Sequence, residues 1–390
     1  MTQYDLHGNP VPRKPLRRNG ADKEEKRFLM FPHTRAKHDI LTEYLKPWFY
    51  IIQSRREYVQ YMDAFAGAGR YERGEDGSPL IAMEVYNNHI LKKSMTLDVR
   101  FLFIELNEKS IDLLKSRTPP DMLGKNVTFF KGSFSEAMES LYNENDPMSQ
   151  RMCNTFAFID PYGHSGMPMG QVRRIIESEK CDVMITLMTD SINRNAFASE
   201  KNQAQGVGLD ELYGSDVWKE VLSAGIGKMP KRIDRFVDIY IEEAMKYVPK
   251  DRRYSLQFKM KKKNGHEAYR LVFLTKHLKG LECMKESMLK VDPTGGYTYY
   301  DASHGTCKII DLEESKRLRD VIAANQIYEF MKGRTCTGMD LDELFLIGTG
   351  FTYRASMLSI LESDGRIVVS SNGKRRAKGT YPDSCKIRFV

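Results

Sequence analysis

The chain has 390 residues, 41% of them apolar and 29% charged, with a net charge of +8 and a mean hydropathy of −0.50. That length supports a large core and two domains. The composition is that of a soluble globular protein, and it excludes a membrane-spanning helix, since no apolar run reaches the roughly 18 residues such a span needs. The opening MTQYDLHGNPVPRKPLRRNG has no apolar core and does not read as a secretory signal. Residues 1–28 read as a flexible basic tail. The six cysteines (Cys153, Cys181, Cys283, Cys307, Cys336 and Cys385) are scattered, with no C-x-x-C pair. The expectation is therefore no disulfide framework, no zinc or other metal site, and a reducing cytoplasm.

In chain order, Thr34 to Gln53 carries apolar residues at helical spacing (Ile40, Leu41, Tyr44, Leu45, Trp48), with Pro47 inside the pattern. A strand–helix alternation follows. Strands are predicted at 58–64, 98–106, 127–131, 154–160 and 181–188, and helices at 79–88, 110–117, 135–141 and 169–177. Strands separated by helices in this way imply a parallel sheet with helices on both faces. A long helical stretch covers 202–247. Two strands, 255–262 and 269–275, are joined around Asn264-Gly265, a favoured tight-turn dipeptide, and supply an antiparallel strand at the end of the sheet. A helix over 281–289 ends the first domain, taken as 29–292. Residues 293–312, rich in Gly and Tyr, read as a linker. The remainder, 313–390, gives three helical patterns and two short strands around Asn372-Gly373. This reads as a small winged-helix-like module, a variant of the helix-turn-helix.

The chemistry concentrates where strands end. Asp63-Ala64-Phe65-Ala66-Gly67-Ala68-Gly69 closes the first strand. Glycine suits a turn where a nucleotide-like ligand approaches the backbone, because a Cβ would block it. The second strand ends at Glu105-Leu106, and a carboxylate there can accept from both ribose hydroxyls of an adenosine. A dinucleotide would use the same geometry, but its pyrophosphate needs G-x-G-x-x-G. Here the residue three after Gly69 is Glu72, which repels a pyrophosphate. S-adenosylmethionine carries no phosphate and escapes that objection. After the third strand, Ser133 can bond the adenine ring and Phe134 can stack on it. A helix cap at Ser135 and a core aromatic are the competing readings.

The fourth strand ends in Asp160-Pro161-Tyr162-Gly163-His164. An aspartate at the carboxyl edge of a parallel sheet, beside the ligand crevice, stands where chemistry occurs in such folds. Asp160 and the Pro161 carbonyl can accept both hydrogens of an exocyclic amine, Tyr162 can stack on a planar substrate, and His164 is a candidate proton acceptor. Asp160 also borders the cofactor. Lys37 and His38, on the first helix, can reach the ligand's carboxylate. Met188, Asp190, Asn193 and Arg194 follow the fifth strand and can line the same crevice. The basic residues Lys261, Lys262 and Lys263, together with Lys374, Arg375, Arg376 and Lys378, form two clusters that can supply an electrostatic footprint for DNA or RNA.

The Asp160-Pro161-Tyr162 turn resembles the Asp/Asn-Pro-Pro-Tyr/Phe motif of amino-methyltransferases that modify adenine in nucleic acids. Tyr162 stands where that motif has its second proline. Taken together, residues 63–85, 101–110 and 156–169, with the helix at 34–45 and the strand at 269–277, resemble the family called three-Cys-motif partner proteins. The likeness spans roughly residues 30–290. It implies a Rossmann-like methyltransferase fold, S-adenosylmethionine as cofactor, and a partner with a three-cysteine motif similar to radical S-adenosylmethionine enzymes. The expected function is methyl transfer to an amine of a nucleic-acid base or modified nucleotide. The alternatives are a non-catalytic nucleic-acid-binding adaptor for that partner and, disfavoured by Glu72, a nicotinamide-dependent oxidoreductase.

Overall fold

The computed structural model describes residues 30–53, 59–91, 99–143, 154–200, 204–301, 312–371 and 376–390. The expected basic tail, Lys374, Arg375, Cys153 and Cys307 lie outside the described residues.

An eight-stranded sheet runs in the order β3-β2-β1-β4-β5-β7-β6-β8. Its strands are β1 (Val59–Asp63), β2 (Val99–Glu105), β3 (Val127–Lys131), β4 (Asn154–Ile159), β5 (Asp182–Leu187), β6 (Tyr254–Lys261), β7 (Glu267–Thr275) and β8 (Thr298–Tyr300). The first five pair in parallel, β7 is antiparallel to both neighbours, and β8 joins β6 in parallel. The chain reverses its strand order between β1 and β4, so a crevice opens there at the carboxyl ends.

The central strands are buried on both faces, as parallel strands under helices must be. Alternate side chains point to opposite faces, and the two faces differ in kind. Tyr61, Phe101, Phe103, Phe156, Phe158 and Phe273 face one core. They pack under α1 (Pro32–Gln53), α2 (Ser78–Asn87), α3 (Glu108–Arg117) and α9 (Leu278–Val291). Met62, Leu102, Ile104, Ala157, Ile159, Val272 and Leu274 face the other core. They pack under α4 (Phe134–Tyr142), α5 (Met169–Glu177), α6 (Thr189–Ser199), α7 (Ala204–Tyr213) and α8 (Met229–Ala244). On the aromatic side Tyr44 and Trp48 of α1 meet the Phe156 ring at 5.0 and 5.8 Å between centroids.

Two sequence expectations change. The helical stretch at 202–247 is broken into α7, a short helical segment over 217–223 and α8, with breaks where Gly214 and Gly225 take positive φ and Pro230 opens α8. Thr298–Tyr300, inside the segment expected to be a linker, forms β8. The Asp292 carboxylate accepts from the Thr298 amide at 2.9 Å, and the Tyr297 carbonyl accepts from the Lys259 amide at 2.8 Å.

The C-terminal segment forms α10 (Leu312–Met331), β9 (Thr335–Thr337), α11 (Leu341–Gly348), α12 (Ala355–Ser363), β10 (Ile367–Ser371) and β11 (Cys385–Phe389). Its antiparallel sheet is ordered β10-β11-β9 over a separate core that includes Ile327, Phe345, Leu358 and Ile387. It docks on α9 through Lys285, whose buried amino group donates to the carbonyls of Leu346 at 2.6 Å, Phe345 at 3.3 Å and Thr349, while burial pushes its pKa down to about 7. These carbonyls end α11, where a cation complements the helix dipole.

Candidate active site at the carboxyl edge of the sheet

Asp63 ends β1 fully buried. Its Oδ1 accepts from the Phe65 amide and its Oδ2 from the Tyr61 hydroxyl, both at 3.3 Å. Burial pushes its pKa up to about 7, against the opposing pull of the Ser78 hydroxyl and the Phe65 amide, while the Asp160 charge pushes it further up.

The turn that follows is held from below. The Ala66 amide donates to the Ile104 carbonyl at 2.9 Å, and the Gly67 amide donates to the Glu105 carboxylate at 2.9 Å. The other Glu105 oxygen accepts from the Asn107 amide at 2.8 Å. Two backbone bonds leave a carboxylate with further acceptor capacity.

The two glycines have different reasons to be glycine. Both take positive φ, +61° at Gly67 and +76° at Gly69. A Cβ at Gly67 would meet nothing within 4 Å, whereas one at Gly69 would lie 2.5 Å from Leu114 Cδ1. Gly67 thus keeps open space in front of the turn, and Gly69 lets the loop close onto α3.

Beside this turn, at the end of β4, Asp160 is half-buried and bonded to the ammonium of Lys37. Lys37 is 5% exposed and lies 5.6 Å from the Tyr269 ring centre and 5.8 Å from that of Phe158. Lys37, expected to meet a ligand's carboxylate, is ion-paired with Asp160 in this structure. Next to it, His38 is buried with its Nδ1 lacking a hydrogen-bond partner. Burial, reinforced by the Lys37 charge, pushes its pKa down to about 3, so the ring is neutral. Its ring centre lies 5.8 Å from that of Tyr71. Tyr71 and Tyr269 border this cluster and were not singled out from sequence.

Pro161 is buried and Tyr162 is 66% exposed. His164 bonds the Ser191 hydroxyl through Nδ1 at 2.9 Å, and burial lowers its pKa, so at neutral pH it has a nitrogen able to accept a proton. Leu106, 70% exposed, stands beside Glu105.

Two of the expected adenine contacts change. Ser133, not Ser135, caps α4. Its hydroxyl and amide bond Glu136 at 2.8 and 2.6 Å, and the hydroxyl accepts from the Glu136 amide at 3.2 Å, a reciprocal capping box. Phe134 is 1% exposed and packs 6.3 Å from the Phe65 ring. It is a core residue with no free face for a ligand.

The basic clusters are largely engaged. Lys262 pairs with Asp190 at 3.4 Å, and Lys261 donates to the Tyr300 hydroxyl at 3.2 Å. Lys263 is exposed. Because β6 runs the same way as β5, this hairpin tip lies at the sheet edge that carries Asp160. Arg376 bonds Glu362 and the Thr380 carbonyl. Lys378 is exposed. Among the described residues no group of His, Cys, Asp and Glu has the arrangement of a metal site, and no helix is long and apolar enough to cross a membrane.

The parallel sheet reversing at β1 and β4, with β7 inserted antiparallel, is a Rossmann-like fold. No family model matches the sequence and no curated protein matches it. Among solved structures, the chain is similar to an O-methyltransferase from Bacillus cereus in complex with SAH. The identity is 10%, 67% of this chain and 93% of that chain are covered, and the TM-score is 0.32. It is similar also to the plantazolicin methyltransferase BamL, at 11% identity over 66% of this chain and 90% of that one, with a TM-score of 0.30. A Staphylococcus aureus protein assigned as a caffeoyl-CoA O-methyltransferase has 11% identity over 59% and 82% of the two chains and a TM-score of 0.28.

Proposed function

We propose that this chain is an S-adenosylmethionine-dependent methyltransferase acting on an amine of a nucleic-acid base or modified nucleotide, together with a three-Cys-motif, radical-S-adenosylmethionine-like partner. One observation carries the reading: Asp63, the open turn at Gly67, Glu105 and the Asp160–Pro161 turn stand side by side at one sheet edge. These residues suit the cofactor. The space in front of Gly67 would admit a nucleoside, Glu105 would take its ribose hydroxyls, and Asp63 would take an ammonium. His38 Nδ1 offers a further buried polar contact.

When bound, S-adenosylmethionine supplies a methyl group on a positively charged sulfur. Asp160 and the Pro161 carbonyl would hold the two amine hydrogens, so that the nitrogen lone pair faces that methyl carbon. His164, neutral at pH 7, would receive the proton the amine gives up. The hairpin tip at Lys261–Lys263 supports a polyanionic substrate at the same edge, and the three helices and small sheet of the C-terminal segment support a winged-helix role in holding it.

A second reading is favoured by the Lys37–Asp160 pair, which occupies the carboxylate that an amine would need. There the chain is a nucleic-acid-binding adaptor that retains its ligand site. Transfer of a labelled methyl group to DNA, RNA and the partner distinguishes the two. Loss of labelling in Asp160→Ala, with cofactor binding kept, supports the enzyme. Unchanged product with binding kept supports the adaptor.

A further inference from the structure

A cavity of about 320 Å³ opens at the other end of the sheet, where β5 starts and β7 finishes. That size is at the small end of ligand pockets, about 300–1,000 Å³. Its apolar walls come from Trp48, Ile51 and Ile52 of α1 and from Leu278 and Cys283 of α9, and Lys180, Lys276 and Lys279 also line it.

Its polar end carries the buried Asp182 and the half-buried His277. Asp182 is 7% exposed, and its Oδ2 accepts from Tyr44 at 2.9 Å. Its Oδ1 makes no hydrogen bond, and neither does the buried Nε2 of His277. Burial raises the Asp182 pKa against the nearby Thr275, Tyr44 and Trp48 donors, which favour the ionised form without closing a bond onto Oδ1. Burial also lowers the pKa of His277, so its ring is neutral at pH 7 and Nε2 can donate or accept by tautomer. Buried polar atoms are rarely left unpaired, and those that are call for a partner. The backbone beside the cavity is strained as well: Lys180, which lines it, holds φ at +61°, a conformation rare outside glycine and frequent at ligand sites.

We propose that this cavity binds the amino-bearing edge of a flat heteroaromatic ring, the nucleobase class, with Asp182 Oδ1 accepting from the amino group and His277 Nε2 meeting the adjacent ring nitrogen. Trp48, Ile51 and Ile52 enclose the ring faces. The site is separate from the glycine turn and does not depend on what that turn binds.

Trp48 is one of two tryptophans in the chain and reports occupancy. The full chain is titrated with adenine, AMP and purine while tryptophan fluorescence is followed. The expected result is saturable quenching by adenine or AMP, the two arms separating a free base from a nucleotide. Purine, which lacks the amino group, binds about tenfold more weakly, as expected for losing one hydrogen bond. Asp182→Asn weakens adenine by a similar factor while still accepting from Tyr44, and Ile52→Phe, which fills the cavity, abolishes binding. Gly67→Arg, at the other end of the sheet, leaves the titration unchanged. The proposal is overturned if neither adenine nor AMP saturates at millimolar concentration, if both variants bind as the wild type does, or if Gly67→Arg abolishes the binding.

Discussion

Replacing each turn glycine by alanine separates what the turn does for the fold from what it does for a ligand. At Gly67 the new Cβ meets nothing within 4 Å and the only intrinsic penalty is φ +61°, roughly 1–2 kcal/mol for an L-residue in the left-handed region. At Gly69 the same penalty applies at φ +76°, and the Cβ lies 2.5 Å from Leu114 Cδ1. Leu114 is fully buried, so its side chain yields only by disturbing the aromatic core, at a further cost of about 1–3 kcal/mol. Gly69→Ala should therefore destabilise the chain by about 2–5 kcal/mol and Gly67→Ala by about 1–2 kcal/mol. Binding of S-adenosylmethionine should follow the opposite order, because only the Gly67 Cβ enters the open space in front of the turn. Urea denaturation and calorimetric titration of both variants check this. Equal stability losses, or greater loss of binding in folded Gly69→Ala, would refute the division of roles.

Two further outcomes follow from buried charges. Asp63 titrates at about 7 in the fold against an ordinary 3.8, so the folded chain holds a proton that the unfolded chain releases. Its contribution to stability is full below pH ~4 and is lost as pH rises through about 7, by no more than about 4 kcal/mol. Urea midpoints measured across this window should fall with pH, and Asp63→Asn should flatten the slope. A slope unchanged in that variant would contradict the assignment. Lys285→Met leaves the carbonyls of Leu346 and Thr349 without this donor, while Phe345 keeps the Thr349 amide and hydroxyl, and should cost about 1–3 kcal/mol. Increased protease sensitivity confined to the C-terminal segment would be the accompanying sign, and an unaltered digestion pattern would argue that Lys285 does not hold it.

Much of the sheet was legible because its strands are unbroken apolar runs. VQYMD, VRFLFIE and NTFAFI read as doubly buried strands, and the glycine turn, Glu105 and Asp160 sit at their ends. The alternation of aromatic and aliphatic side chains in VRFLFIE and NTFAFI was also in plain view. The Ser133 cap had a signal, the serine and glutamate three apart, which competed with an adenine role for the same hydroxyl. Contacts made by folding were not legible: Lys37 meets Asp160 across 123 positions, and no local pattern announces an ion pair of that span. The three-residue strands β8 and β9 are too short for periodicity to register. Burial of Phe134 was equally hidden, since an aromatic beside a ligand crevice has the same sequence signature as one beneath it.

Calorimetric titration of the full chain with S-adenosylmethionine, beside Gly67→Arg and Glu105→Ala, tests the central claim most directly. The account predicts one ligand per chain, with binding lost in both variants while their circular dichroism stays that of the wild type. No binding by the wild type, or binding that neither substitution alters, would contradict it.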